Sequence, residues 1–169
     1  MEHWKEIPEF PGYSVSDMGH VRNDETGYLL TLLQNREGVV NVGMIKDKRQ
    51  YKRAVALLVA RAFLDPPSPP AFDTPINLDG DRTNNDVTNL MWRPRWFAIA
   101  YARQFHTERK GIRVPIEDVN TGEHYRNSWA AATQLGLLDK EILLAIMNHT
   151  YVWPTYQIFR VKGNVDIGQ

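Results

Sequence analysis

Cysteine is absent from this 169-residue chain, which excludes a disulfide framework, a thiolate zinc centre and a Cys-ligated zinc knuckle. No apolar run is long enough to suggest a membrane span or a signal peptide. Net charge is also missing. Twenty Lys and Arg balance twenty Asp and Glu, so overall charge gives no argument for nucleic acid. The 43% hydrophobic content suffices to bury a core in each of one or two small domains. The expectation is an intracellular protein without a membrane partner.

The charges are balanced but segregated. Lys46, Lys48, Arg49, Lys52, Arg53 and Arg61 face only Asp47 between positions 46 and 61. Arg93, Arg95, Arg103, Arg109, Lys110 and Arg113 face only Glu108 between 93 and 113. Acidic residues gather in the first 25 positions and after 115. A solvated charged face would account for either run alone. Together they suit a protein that neutralises phosphates with particular surfaces, releasing counterions as it binds.

Between the runs lies Pro75-Ile76-Asn77-Leu78-Asp79-Gly80-Asp81-Arg82-Thr83-Asn84-Asn85-Asp86-Val87-Thr88-Asn89-Leu90-Met91-Trp92. Asp-Gly and Asn-Asn are ordinary turn signals between two strands. The longer pattern resembles the N-H-x-D-G-N-x-x-N-N-x-x-x-N-L-x-W hairpin of phage HNH homing endonucleases. In that family the residue two before the Asp is a general-base His, and here it is Asn77. An HNH site needs a neutral imidazole to take a proton from water, and oxygen or nitrogen ligands to hold one divalent metal at the scissile phosphate. The resemblance puts ligands at the residue before the His, here Ile76, and one turn into the following helix, here Ala98. Asp79, Gly80, Asn84, Asn85, Asn89, Leu90 and Trp92 match the frame while the chemical positions carry an amide, an aliphatic group and a methyl. No catalytic residue, metal or other cofactor is therefore expected. Asp79, Asn89 and His106 are the residual candidates.

Upstream, the segment from Trp4 to Arg22 resembles the W-x-x-I-x-G-F-x-G-Y-x-V-S-N-x-G-x-V-R-S module that opens many phage homing nucleases. It reads as extended pieces around Pro-Gly and Met-Gly turns, with Tyr13 and Val15 alternating inward and Val21 opening the next strand. Residues 28–33, 39–46 and 49–55 read as strands of a small antiparallel sheet with a basic tip at Asp47-Lys48. The resemblance implies that this sheet lies against DNA, with Lys46, Lys48, Arg49, Lys52 and Arg53 at phosphates or the groove, joined by Arg22 and Arg82. Residues 54–64 have the apolar spacing of a short buried helix, with Leu57, Leu58, Ala60 and Phe63 as core. Pro66-Pro67-Ser68-Pro69-Pro70 reads as a stiff extended connector.

After Trp92, Pro94 suits a first helical turn. The helix through Phe105 is expected to bury Trp96, Phe97, Ile99, Tyr101 and Phe105, with Arg93, Arg95 and Arg103 toward the DNA backbone. The C-terminal part resembles a third phage module, a hairpin turning at Asn120-Thr121-Gly122 and then a helix-turn-helix. Ser128 is the expected N-cap of the first helix, Gly136 its stop, and Asp139 the cap of a second helix running to about Asn148. That helix stands where a recognition helix would, offering Lys140, Asn148 and His149. Its Leu143, Leu144, Ile146 and Met147 leave open a dimer surface instead.

The expected fold class is α+β: a sheet module over residues 1–53, a degenerate ββα (HNH) unit over 54–110, and a hairpin plus helix-turn-helix over 111–169. The retained frame and the missing chemical groups together lead to the expectation of a sequence-specific binder of double-stranded DNA, derived from a homing endonuclease and acting as a transcriptional repressor of a phage or phage satellite. It would be a monomer or homodimer in the cytoplasm of a bacterial host cell. Two alternatives remain open. One is a site-specific nickase using Mg2+ or Mn2+ with His106, Asp73 or Asp79, and the other is a protein-interaction module.

Overall fold

Glycines at left-handed positions set the first sheet of the computed structural model, which describes residues 1–108 and 111–163. Gly12 (φ 90°) and Gly19 (φ 89°) make the turns. They connect β1 (Trp4–Glu6), β2 (Tyr13–Ser16) and β3 (Val21–Asn23), an antiparallel sheet in chain order. Val15 faces inward as expected, but Ser14 and Ser16 are buried as well. Their hydroxyls make this tolerable: Ser14 Oγ donates to Asp24 Oδ2 at 2.8 Å, and Ser16 Oγ accepts from the amides of Met18 and His20.

The second sheet contains β4 (Leu32–Gln34), β5 (Val40–Lys46) and β6 (Arg49–Ala54). The strand expected over residues 28–33 contracts to Leu32–Gln34. Tyr28 and Leu29 are exposed, and Leu29 forms a lone bridge to Arg22. Asp47 (φ 50°) and Lys48 (φ 60°) close the β5–β6 hairpin with positive φ at both central residues, the type I′ pattern that matches strand twist.

Helix α1 (Val55–Phe63) buries Val55, Leu58, Val59 and Ala60. It packs in one core with Ile7, Phe10, Val15, Val21, Val42, Met44 and Leu90. That core draws on both sheets, α1 and the later hairpin, so no division falls at residue 53. The chain forms two compact units, Met1–Ile99 and Ala100–Gln169, parted within a helix rather than at 110. Arg109 and Lys110 of the second basic run lie outside the described residues.

The proline connector is not simply extended. Ser68–Pro69 is cis, and the Phe72 amide donates back to Pro69 O at 2.9 Å. Beyond it β7 (Thr74–Asn77) pairs antiparallel with β8 (Leu90–Arg93), preceded by a 3-10 turn over Val87–Asn89. Helix α2 (Arg95–Gln104) follows, with Pro94 O accepting from the Ala98 amide. Strand, strand and helix thus form the expected ββα order. On α2, Phe97 and Tyr101 are each 1% exposed, but Trp96 (61%) and Ile99 (48%) face solvent. The helix has one buried stripe, too narrow for every aromatic and aliphatic side chain it carries.

In the second unit β9 (Ile116–Asp118) is flanked by β10 (His124–Tyr125) and β11 (Phe159–Val161). Helices α3 (Ser128–Leu135) and α4 (Asp139–Met147) supply Ala131, Ala132, Ile142 and Ala145 to its core. Both expected caps are displaced. Asn127 caps α3 by accepting from the Ala130 amide at 2.8 Å, and Leu138 precedes α4 without a side-chain cap. Ser128 and Asp139 are buried instead and hydrogen-bonded to each other. Gly136 ends α3 in the left-handed conformation (φ 67°), as its position suggested. The chain is therefore mixed α+β, with four helices and small antiparallel sheets among the described residues. No helix among them is long and apolar enough to cross a membrane.

Candidate nucleic-acid interface

The β7–β8 hairpin turns its polar side chains on itself. Asn77 Nδ2 donates to Asn84 O at 2.8 Å and to Asn85 Oδ1 at 2.9 Å. The Asp79 carboxylate accepts from the Asp81 amide (2.9 Å), from Asn89 Nδ2 (2.9 Å) and from Asn84 Nδ2 (2.8 Å). Asn89 also accepts from the Asp79 amide and donates to Asn84 O. The Thr83 hydroxyl, and after it the Thr83 amide, hold the Asp81 carboxyl below its ordinary range. Gly80 takes φ 77° where the turn reverses. Such Asx and ST turns satisfy an irregular backbone without regular secondary structure.

Of the other expected chemical positions, Ile76 is 3% exposed and Ala98 is half-buried on α2. Asp73 is exposed and accepts from the Thr74 hydroxyl. His106 is exposed in the other unit. Among the described residues no three His, Asp or Glu side chains gather where a metal ion could be held.

The hairpin loop is anchored at two places. The Val87 amide donates to Asp17 O at 2.8 Å, and a Cβ on Gly19 would lie 3.2 Å from Asn85 Cβ. Arg82 Nη1 donates to Glu37 O at 2.8 Å, bracing the β4–β5 turn.

The basic β5–β6 hairpin divides in two. Glu9 collects Arg53, whose Nη2 lies 2.5 Å from Oε1, and Arg61, 3.9 Å from Oε2. Lys46 Nζ donates to Glu9 O at 3.0 Å. Arg53 also stacks over Phe10 and Tyr51, at 5.1 and 5.6 Å. Its hydrogen bond holds the Glu9 carboxyl below the ordinary range, and the same bond raises the guanidinium. Lys46 and Arg53 thus tie the β1–β2 connection to the second sheet. Lys48, Arg49 and Lys52 are exposed.

Arg22 pairs with Asp24 at 3.1 Å and lies over Trp4 at 4.3 Å. Arg93, expected near the DNA backbone, is only 7% exposed; it donates to Trp92 O and stacks over Phe97. Its place is in the packing. Arg95 and Arg103 are exposed on α2. Lys140 is exposed in the first turn of α4, whereas Asn148 caps its C-terminus and His149 (φ 52°) lies beyond it. The two residues expected along the recognition helix therefore sit past its end. Sequence reasoning missed Glu9 as the partner of the basic hairpin. It also missed Asn41 and Gln50, which strand alternation puts on the face opposite Val42 and Met44.

Comparison with known proteins matches residues 2–45 to the NUMOD4 motif, which contains the whole segment that resembled the opening homing-nuclease module. An uncharacterized HNH endonuclease, L245, of Acanthamoeba polyphaga mimivirus is 35% identical over 134 residues, 79% of this chain and 39% of that protein. A second from the same virus, L247, is 34% identical over 94 residues, 54% of this chain and 23% of the relative. The chain spans well under half the length of either. Among solved structures, the HNH homing endonuclease I-HmuI, in a study of its DNA binding and cleavage, aligns over 96% of this chain and 99% of that one. Identity is 21% and the TM-score 0.49.

Proposed function

We propose, from the chain's similarity to the NUMOD4 motif and to HNH endonucleases, that it is a member of the HNH homing endonuclease family and a sequence-specific double-stranded DNA-binding protein that holds its target without cleaving it. Its role in this reading is transcriptional repression in a phage or phage satellite. The observation that carries the proposal is the state of Asn77. Its amide donates to Asn84 O and Asn85 Oδ1 and has no basic nitrogen with which to deprotonate water. The neighbouring donor set does not suit a divalent cation. Ile76 and Ala98 offer no ligand atom, and Asp79 already accepts three hydrogen bonds from its own loop. A closed network of this kind stabilises the hairpin as a frame.

The exposed cations Lys48, Arg49 and Lys52 on the hairpin and Arg95 on α2 of the first unit, and separately Arg103 of the second, suit phosphate contacts. A tight binder without cleavage, seated over a promoter, excludes polymerase. The interaction-module reading draws on Leu144 (37% exposed) and Met147 (64%) on α4.

The test is retention of sheared phage and host DNA by the purified protein in Mg2+, followed by sequencing with end-mapping. Intact fragments clustered at promoters are expected. Reproducible nicks inside one enriched site would establish the nickase instead. Weak, salt-insensitive retention would favour the interaction module.

A further inference from the structure

The β5–β6 hairpin has a second face that phosphate contacts do not account for. Val42 and Met44 point into the core, at 1% and 0% exposure. Alternation therefore puts Asn41, Gly43 and Ile45 of β5 outward, beside Gln50 and Lys52 of β6. Gly43 pairs with Lys52 and Ile45 with Gln50. A glycine inside a strand weakens it and marks a close approach. Here the approach is visible: a Cβ on Gly43 would lie 2.5 Å from Gln50 Nε2 and 3.2 Å from Gln50 Cδ. The Gln50 amide is thus laid across β5 over the missing side chain, exposed, next to an Ile45 that is 60% exposed.

We infer that Gln50, seated over Gly43, reads an adenine in the major groove, with Ile45 against a thymine methyl of the same or the next base pair. This rests on the DNA-binding reading above. A Gln amide matches the N6 donor and N7 acceptor of adenine, and an aliphatic side chain beside it matches the thymine methyl. A groove about 12 Å wide admits a two-stranded ribbon. Lys48, Arg49 and Lys52 on the same hairpin complement the phosphates, with Asp47 as the one acid between Lys46 and Arg61. Gln50 supplies base preference and the lysines supply affinity.

The experiment is binding-site selection from random duplexes with the wild-type protein and with Gln50→Ala, Gly43→Ala and Lys52→Ala, each checked for folding by circular dichroism. The wild type is expected to select a motif with a fixed A·T pair. Gln50→Ala loses preference at that one pair and weakens selected-site binding by about 5- to 150-fold, leaving random DNA unaffected. Gly43→Ala displaces the amide and gives the same change. Lys52→Ala weakens selected and random DNA alike and lowers the salt slope by about one. Replacing the selected adenine by 7-deazaadenine weakens the wild type but not Gln50→Ala. An unchanged motif for Gln50→Ala, or equal 7-deazaadenine losses in both proteins, overturns the assignment while leaving DNA binding intact. A wild type that selects no motif removes the sequence-specific reading above and this one together.

Discussion

Asn77→Ala removes an amide whose two hydrogen bonds hold the β7–β8 loop, at 2.8 Å to Asn84 O and 2.9 Å to Asn85 Oδ1. The two acceptors suffer unequally. Asn84 O keeps the Asn89 amide as a donor at 2.9 Å, so that loss is an ordinary net hydrogen bond of about 1 kcal/mol. Asn85 is 4% exposed, and a buried acceptor stripped of its donor costs about 1–3 kcal/mol. The hairpin should lose about 2–4 kcal/mol against local opening, with little change elsewhere in the unit. Hydrogen exchange measured by mass spectrometry on the 74–93 segment reads this directly. The Leu78 and Gly80 amides, which donate to Asn89 O and Asn77 O, are expected to exchange about 30- to 800-fold faster. Asn77→His keeps at most two ring N–H groups, which cannot both reach acceptors set for one amide nitrogen, and is expected to lose about half as much. It is also expected not to nick DNA, because Ile76 and Ala98 still offer no ligand atom. Exchange in Asn77→Ala within about twofold of wild type would refute the structural role given to the amide, since even one net hydrogen bond is worth more than that. Nicking by Asn77→His would show that the ligand set survived.

Lys48→Gly relieves a lysine held at φ 60°; thermal unfolding should show a gain of about 0.5–1 kcal/mol while DNA titrations show weaker binding and a salt slope smaller by about one. Gly111→Ala would drive a Cβ to 2.1 Å from Asp139 Oδ1 and 2.2 Å from Ser128 Oγ, so unfolding of the second unit should move down by about 2–4 kcal/mol, as for other broken buried polar pairs. Burial pushes the Asp118 carboxyl up, but hydrogen bonds from Gln157 and from the Asn120 and Thr121 amides outweigh it and leave it lowered from 3.8. A lowered carboxyl stabilises the fold above its unfolded value, and that contribution fades as pH falls through the folded one. Acid titration should therefore show the second unit losing stability below about pH 4, and Asp118→Asn should flatten that limb.

Local signals in the sequence were reliable where a single residue type decides the backbone. Gly12, Gly19, Gly80 and Gly136 occupy left-handed positions at turns or a helix end, and Asp47-Lys48 closes its hairpin. The apolar spacing after Ala54 gave α1, and the hairpin frame through Trp92 gave β7, β8 and α2 in order. Properties set by distant partners were not legible. Ser128 and Asp139 have the side chains of N-caps, yet each is drawn into a buried bond with the other, leaving Asn127 to cap α3. Lys46 and Arg53 look like phosphate ligands in a basic run, but Glu9, far away in sequence, engages both. Arg93 sits in the second basic run and is nonetheless packed over Phe97. The strand β11 joins β9 across both helices, a pairing for which local propensity carries no information. Gln50 was missed although the alternation of β5 and β6 carries its signal, because its outward position follows from register rather than from charge.

In the proposed function the β7–β8 hairpin survives as the frame of a protein that holds DNA without cleaving it. The most direct measurement is strand-level end-mapping of a supercoiled plasmid carrying the selected site, footprinted in parallel, at saturating protein with Mg2+ and then Mn2+. A protected footprint containing no nick above background in either metal is the predicted result. A metal-dependent nick at a fixed position inside that footprint would contradict it.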